Sequence, residues 1–495
     1  MSLRLSSGVA WHLPGRALVP TVIGLGLGVV VAALPLSIAA LSLAILVLAA
    51  MAFLEPSNGI VILLVIAPLK ALLEAEAPFP LPLDVGQLAL VFVVGVWALT
   101  RLIQRQPLTL PTSIVQVFLL PFIFVAFLSL PGAPSVDAGL AEVLKWIEIV
   151  FLIGFCLALY HRSRAYWLVF ALVLAAAVQA VVGLYEFFGG SGAEHLWILE
   201  NRHFRAFGTF GQPNPFGAFM GISLPLAAAT AWGYGARFWR AGGGRRDWRS
   251  FLRRVRSSDA LAASFYAAMA ALIWAGLVAS WSRGAWMGFA GSALVMLAFA
   301  PRSLARGLAL AVAAVGLVLA MWGSGLVPDS LSARLSGFLE ELTTIEDARG
   351  LDITDSNYAV TERIAHWQAA VMMAQDRPWL GVGFGNYEAA YADYALLNWP
   401  QALGHAHNYY LNLLAEVGVA GLVAYLVAWG MILALTVRLC RRTQGLERAW
   451  AVGLLGTWSY LAIHSAVDKL YVNNLFLHVG CALGMLALLH REQTG

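Results

Sequence analysis

Charge-poor apolar runs recur along this chain from Val19 to Leu489, and each is long enough to cross the roughly 30 Å hydrocarbon core of a bilayer as a helix. In hydrocarbon the backbone must satisfy its own hydrogen bonds, which leaves only helices and closed barrels. The runs are continuously apolar and show none of the period-two alternation of a barrel strand, so they read as helices. Composition agrees. Hydrophobic residues make up 60% of the chain and charged residues 12%, with a mean hydropathy of +0.76, far from a soluble domain. The expected fold class is an all-α polytopic membrane protein of about fourteen transmembrane helices, or twelve to fourteen if a hairpin is merged or split.

Expected spans are 17–34, 36–54, 58–76, 84–103, 113–131, 141–160 and 165–188, then 215–233, 259–280, 284–300, 303–325, 407–437, 447–467 and 470–490. The first run follows Arg4 and Arg16 and lacks a small-x-small exit, so it reads as a retained helix and not a cleaved signal. With the N-terminus in the cytoplasm, alternation places 21 of the 31 lysines and arginines inside, including the eight arginines between Arg237 and Arg256. That is the bias the positive-inside rule demands. The chain then divides into helices 1–7 (1–190), helices 8–11 with arginine motifs (191–325), a large outer loop carrying short helices (326–406), and helices 12–14 (407–495). In the loop, Ile364, Trp367, Val371 and Ala374 are expected on one side of an amphipathic helix stopped by Pro378. A loop of that length is usually functional.

Several chemistries lack their motifs. The three lysines, Lys70, Lys145 and Lys469, do not follow a glycine, so there is no phosphate-binding loop of the ATPase type. Asp-x-Asp, His-Glu-x-x-His and Gly-x-Ser-x-Gly are all missing. The cysteines Cys156, Cys440 and Cys481 are scattered and suggest neither a disulfide framework nor a thiolate metal site. A net charge of +4 gives no reason to expect a nucleic-acid partner.

Functional groups gather instead on the outer face. Arg205 opens Arg-Ala-Phe-Gly-Thr-Phe-Gly-Gln-Pro-Asn-Pro (205–215), an irregular backbone beside the membrane. Such backbone is tolerated where protein packs it or where it lines a polar cavity. Arg283 lies in a connection so short that its guanidinium must sit at the membrane border. A planar, permanently charged fork suits bidentate phosphate binding, although an arginine here can also simply snorkel to lipid headgroups. The third element is His405-Ala-His407-Asn408-Tyr409-Tyr410-Leu411, followed by Gly418. Helical spacing would put His407, Leu411, Leu414 and Gly418 on one face, with His407 in the first turn. There the helix dipole favours a neutral imidazole able to act as a base. The plainer reading is a histidine at an interfacial helix end. A metal site from His405, His407 and His366 has unspecific spacing and no carboxylate in register, so no metal or other cofactor is expected.

In this order the segments resemble the O-antigen ligase and polymerase superfamily of bacterial membrane glycan transferases. His407-Asn408-x-x-Leu411 with Gly418 is similar to the signature of that superfamily's large outer loop. Arg205…Pro213-Asn214 and Ser282-Arg283-Gly284 look like its arginine motifs. Glu362-Arg363…Trp367 and the 378–386 stretch resemble the lead-in to the histidine. The likeness runs from about Arg205 to His490.

The resemblance implies inverting, metal-independent transfer of a glycan from undecaprenyl pyrophosphate to an acceptor hydroxyl, at the outer face of a bacterial cytoplasmic membrane. It implies that Arg205 and Arg283 hold the pyrophosphate and that His407 activates the acceptor, with Asn214, Asn408, Arg363, Tyr409 and His405 contacting substrate. Partners would be a lipid-linked glycan donor, a glycan or lipid A-core acceptor, and membrane lipids. A polymerase and a protein O-oligosaccharyltransferase stay open within the superfamily. A small-solute transporter of the bicarbonate type is the alternative outside it.

Overall fold

The computed structural model describes residues 51–76, 84–240 apart from positions 190, 191, 193, 200 and 201, then 257–328, 330, 332, 334, 347–350, 354 and 357–491. The expected span 17–34 and most of 36–54 lie outside these residues. Each of the other twelve expected spans coincides with helix. Helix α1 (Asn58–Ile66) passes through a short 3₁₀ turn into α2 (Lys70–Glu76). Then come α3 (Val85–Ile103), α4 (Ile114–Leu128), α5 (Val136–Leu159), α6 (Ala165–Phe187) and α7 (Pro213–Arg240). The second half holds α8 (Ser258–Ala279), α9 (Arg283–Phe299), α10 (Leu304–Gly323), α11 (Tyr358–Asp376), α12 (Tyr387–Ala390), α13 (Tyr409–Arg442), α14 (Gly445–His464) and α15 (Leu475–Arg491). Serines start several of them, Ser113, Ser135 and Ser257 each accepting a backbone N–H from the first turn. One two-residue antiparallel ladder, β1 (Trp197–Ile198) with β2 (His203–Phe204), departs from all-α.

Seven of the described helices are long and apolar enough to cross a membrane, and α4, α9 and α15 are shorter apolar helices. This is an all-helical, multi-span membrane protein. Every residue of α15 from Leu475 to Leu489 is buried, so it is the centre of the bundle, as its all-round apolarity requires. It packs against α5 and α6. By contrast α10 buries only Gly307 and offers its other faces to lipid. Helix α7 is buried along most of its length between α8 and α14, where Gly221 lets the Tyr460 ring lie against the α7 backbone.

Two expectations about the outer loop are corrected. Helix α11 does form and ends just before Pro378, but its buried side runs through Val360, Ile364, Ala365, Ala369 and Met373, while Val371 faces out. Nor do His407 and Gly418 share a helix face. The helix begins at Tyr409, and Gly418 breaks it with φ 63° and ψ −167°. The cause is the 378–386 segment, which crosses the break and bonds to it backbone to backbone. Val382 N donates to Ala415 O at 2.9 Å, Gly383 N to Glu416 O at 2.9 Å, and Val419 N to Pro378 O at 2.8 Å. A Cβ on Gly418 would collide with the Trp379 carbonyl. This positive-φ, extended-ψ backbone, open essentially only to glycine, and the collision together predict that Gly418→Ala costs about 2–5 kcal/mol. The check is unfolding of purified protein in detergent; a midpoint equal to the parent's would remove this account of the glycine.

Candidate functional site

Arg205 reaches its place through three local devices. The β1–β2 ladder ends beside it, with Arg205 N donating to Leu196 O at 2.8 Å, and Ala206 N donates to Ala279 O at 2.9 Å. Behind the loop, Glu186 on α6 accepts from Phe207 N at 2.9 Å and Gly208 N at 2.7 Å. Gln179 accepts from Thr209 N at 3.1 Å. The side chain is then fixed from both ends: Nε donates to Ser280 O at 3.1 Å and Nη2 to Asn214 Oδ1 at 3.3 Å.

Across from it, α8 closes with Ser280, Trp281 turns left-handed at φ 54°, and α9 starts at Arg283. Ser282 is the N-cap residue of α9 and makes no side-chain cap bond. Arg334, from the outer loop, donates to Trp281 O at 3.2 Å. Arg363 arrives from α11. These groups surround a cavity of about 250 Å³ lined by Arg205, Asn214, Arg283, Arg334, Arg363 and Asp468, among others. Burial and the guanidiniums of Arg334, Arg363 and Arg283 press the Arg205 pKa down to about 9, which still leaves it charged at neutral pH. Four cations around one cavity at a helix N-terminus, with Asp468 as the carboxylate in the same lining, can receive a multiply charged anion.

One wall of the cavity leads to the histidines. Asp468 lies in the turn between α14 and α15, its Oδ1 accepting from Lys469 N at 2.8 Å. The same oxygen is 3.7 Å from His407 Nδ1 and 4.0 Å from His405 Nε2. Burial pulls the Asp468 pKa up, but His407, His405 and His464 together outweigh it and hold the carboxyl well below the usual range. His407 has φ 51°, a strained backbone for a residue with a Cβ, and both its ring nitrogens are buried without a hydrogen-bond partner. Unpartnered buried nitrogens beside a charged cavity mark a group kept for a ligand.

The three ligand atoms of His405, His407 and Asp468 lie within 4.8 Å of one another, which raises the metal question again. His405 Nδ1 accepts from the backbone N–H of His407 at 3.1 Å, so the neutral ring carries its proton on Nε2, the nitrogen facing Asp468. Burial and His407 push the His405 pKa down to about 3, so that neutral form persists. Neither nitrogen then has a lone pair free for a cation, and the trio suits proton handling. His366 stands apart: its Nδ1 is 2.9 Å from Tyr387 Oη, its ring stacks on Tyr391, and its centroid is 6.1 Å from His407.

Of the residues expected at the site, Arg205, Asn214, Arg283 and Arg363 line the cavity, and His405 and His407 meet its Asp468 wall. Two expected substrate contacts are employed elsewhere. Asn408 caps α13, its Oδ1 accepting from Tyr410 N and Leu411 N. Tyr409 is fully buried against Tyr425 and Tyr471. His407 lies before the cap and not in the helix's first turn, so its setting comes from Asp468 and His405 more than from the α13 dipole. Sequence reasoning missed Arg334, His464 and Asp468. The signal for Arg334 was a further arginine on an outer segment, where charge bias disfavours one.

Residues 268–426 match the O-antigen ligase family. Within the matched residues lie Arg283, Arg334, Arg363, His405, His407 and Gly418; Arg205, Asn214 and Asp468 fall outside them and line the cavity with Arg283, Arg334 and Arg363. The family is one of membrane glycan-transferring enzymes. None of the curated proteins compared matches the chain. A chain from the solved structure reported for the structural coordination of polymerization and crosslinking by a peptidoglycan synthase complex is 16% identical. That likeness covers 76% of this chain and 97% of that one with a TM-score of 0.39, too low to argue a shared fold.

Proposed function

We propose that the protein transfers a glycan from a polyprenyl pyrophosphate, undecaprenyl by the family resemblance, to an acceptor hydroxyl at the outer face of a bacterial cytoplasmic membrane. The observation that carries the reading is the cavity itself, four arginines around the N-terminus of α9 with Asp468 and His407 at its edge. In the transfer, the acceptor oxygen attacks the anomeric carbon while the bond from that carbon to the phosphate oxygen breaks. The electron pair stays on the leaving pyrophosphate, where the guanidiniums and helix N–H groups receive the developing charge. His407 takes the acceptor's proton on Nε2, with Asp468 holding the Nδ1 side, the division of labour that a base and its orienting carboxylate require. Attack from the face opposite the leaving group inverts the anomeric centre. No step calls for a metal, so transfer should survive chelators.

The acceptor can be a lipid A-core sugar, a further repeat unit or a protein hydroxyl, and the ligase reading is preferred for its outer loop of about 80 residues. A small-solute carrier is less well supported. Its mark would be buried charge at mid-span together with repeated broken helices. Here Glu142 pairs with Lys469 at 3.3 Å and with Lys145, while Glu416 accepts from Tyr387 N at 3.1 Å, so both brace the outer end of the bundle.

The reading requires 189–214 and 326–406 outside and 234–258 inside. Single cysteines placed at 350 and at 245–250, in a chain freed of its own cysteines, should label with an impermeant reagent in intact spheroplasts only at 350. Labelling at 245–250 and not at 350 would place the cavity on the wrong side and remove the proposal.

A further inference from the structure

The cavity holds one ionisable ring that the transfer described above does not use. His464 ends α14, is only 1% exposed, and lines the cavity. Its Nδ1 is 2.9 Å from Tyr460 Oη, and the same hydroxyl is 3.1 Å from the Gly217 carbonyl on α7. A carbonyl can only accept, so Tyr460 gives its single proton to Gly217 O, and His464 Nδ1 must donate to Tyr460 Oη. In the neutral ring the lone pair is therefore on Nε2. That nitrogen has no hydrogen-bond partner among the described residues, and it lies against the first turn of α9. A Cβ added to Gly284 would sit 2.9 Å from it. The groups that share the cavity with it are Asp468 on the following turn, Arg283 on α9, Arg363 on α11, and Arg205 and Arg334 on their loops. Tyr460, one turn back on α14, completes its titratable surroundings.

A lone pair aimed at phosphate oxygens repels them, and a proton between the two turns repulsion into a charge-assisted bond. We propose that His464 Nε2 holds a proton against the bound pyrophosphate and delivers it to the departing oxygen. This rests on the reading of the cavity as the pyrophosphate site. Before transfer the imidazolium donates through Nε2–H to a phosphate oxygen. As the bond from the anomeric carbon breaks, its electron pair remains on the phosphate, the proton passes from Nε2 to that oxygen, and His464 is left neutral with Nδ1–H still on Tyr460. The acceptor's proton goes to His407. One histidine ends a proton richer and the other a proton poorer, and exchange with water restores both. The Tyr460–Gly217 pair fixes which nitrogen faces the substrate, and the missing side chain at Gly284 leaves the path open.

Inorganic pyrophosphate is the probe. Its binding to the purified full chain in detergent is measured by calorimetry near pH 7.5, in buffers of different ionisation enthalpy, for the parent, His464→Gln and Gly284→Ala. Glutamine keeps a donor of similar reach but cannot titrate. Alanine at 284 leaves the histidine in place and blocks its approach, which keeps the test open if the glutamine variant fails to fold. The parent complex should hold about one proton more than either variant complex, and the parent's affinity should fall up to about tenfold per pH unit more steeply than theirs. Equal proton counts and parallel pH slopes would make His464 a structural tie between α14 and α7 and overturn the proposal. A parent that binds no pyrophosphate would sink it too, by a separate result that also removes the reading of the cavity.

Discussion

Replacing His407 by alanine is expected to lower glycan transfer by about 10²–10⁴-fold, the usual worth of a positioned proton acceptor, while binding of the lipid pyrophosphate persists. The measurement is single-turnover transfer by purified variants beside donor binding. Asp468→Asn should follow it, with a loss of about 10²-fold or more, because an amide no longer favours the His407 tautomer with its proton on Nδ1. His405 is a revealing control. On a helix it would lie about 200° around from His407 and be a bystander. In the structure its ring centroid is 4.3 Å from that of His407, and it shares the Asp468 carboxylate. His405→Ala should therefore impair transfer measurably, but less than His407→Ala, since its proton points at Asp468 and not at substrate. Near-parental transfer by His407→Ala, or a larger loss from His405→Ala, would remove the mechanism and leave the membrane fold untouched.

The positions of the helices were legible because the bilayer imposes a length and a polarity on each of them, and twelve expected spans coincide with helix on that ground alone. What periodicity could not supply was where a helix ends under tertiary force. Asn408, as a cap, pulls the start of α13 past His407, and the backbone crossing at Trp379 breaks that helix at Gly418. Both facts depend on segments far apart in sequence. The same holds for the cavity. Arg205 and Arg283 could be singled out because arginine on an outer connection goes against charge bias. Asp468 and His464 carry no such mark: each sits at an ordinary helix end, and only the meeting of the turn after α14 with α9 and the 405–407 segment gives either of them a partner. Tyr409 is a different case. Its neighbours in the motif suggested substrate contact, but the alternate side of the chain at that point faces the aromatic core.

The arginines should prove intolerant even of lysine. Arg205 uses Nε for Ser280 O and Nη2 for Asn214, a division that only a planar fork can make while its remaining N–H groups face the cavity. An ammonium can serve one of these partners or the ligand, but not all at once. Arg283 starts α9, so its charge adds to the N–H groups of that helix end. Arg205→Lys and Arg283→Lys are therefore each expected to weaken pyrophosphate binding by about 10–10²-fold, the worth of one or two charge-assisted bonds, and transfer should fall at least as far. Because burial, and after it the neighbouring guanidiniums, disfavour the charged form of Arg205, replacing Arg205 by a neutral residue should also raise the stability of the empty protein slightly. That opposite sign separates a binding role from a structural one. Lysine variants that bind and transfer like the parent, or alanine variants that lose stability along with binding, would make these arginines anchors of the fold and put the pyrophosphate elsewhere.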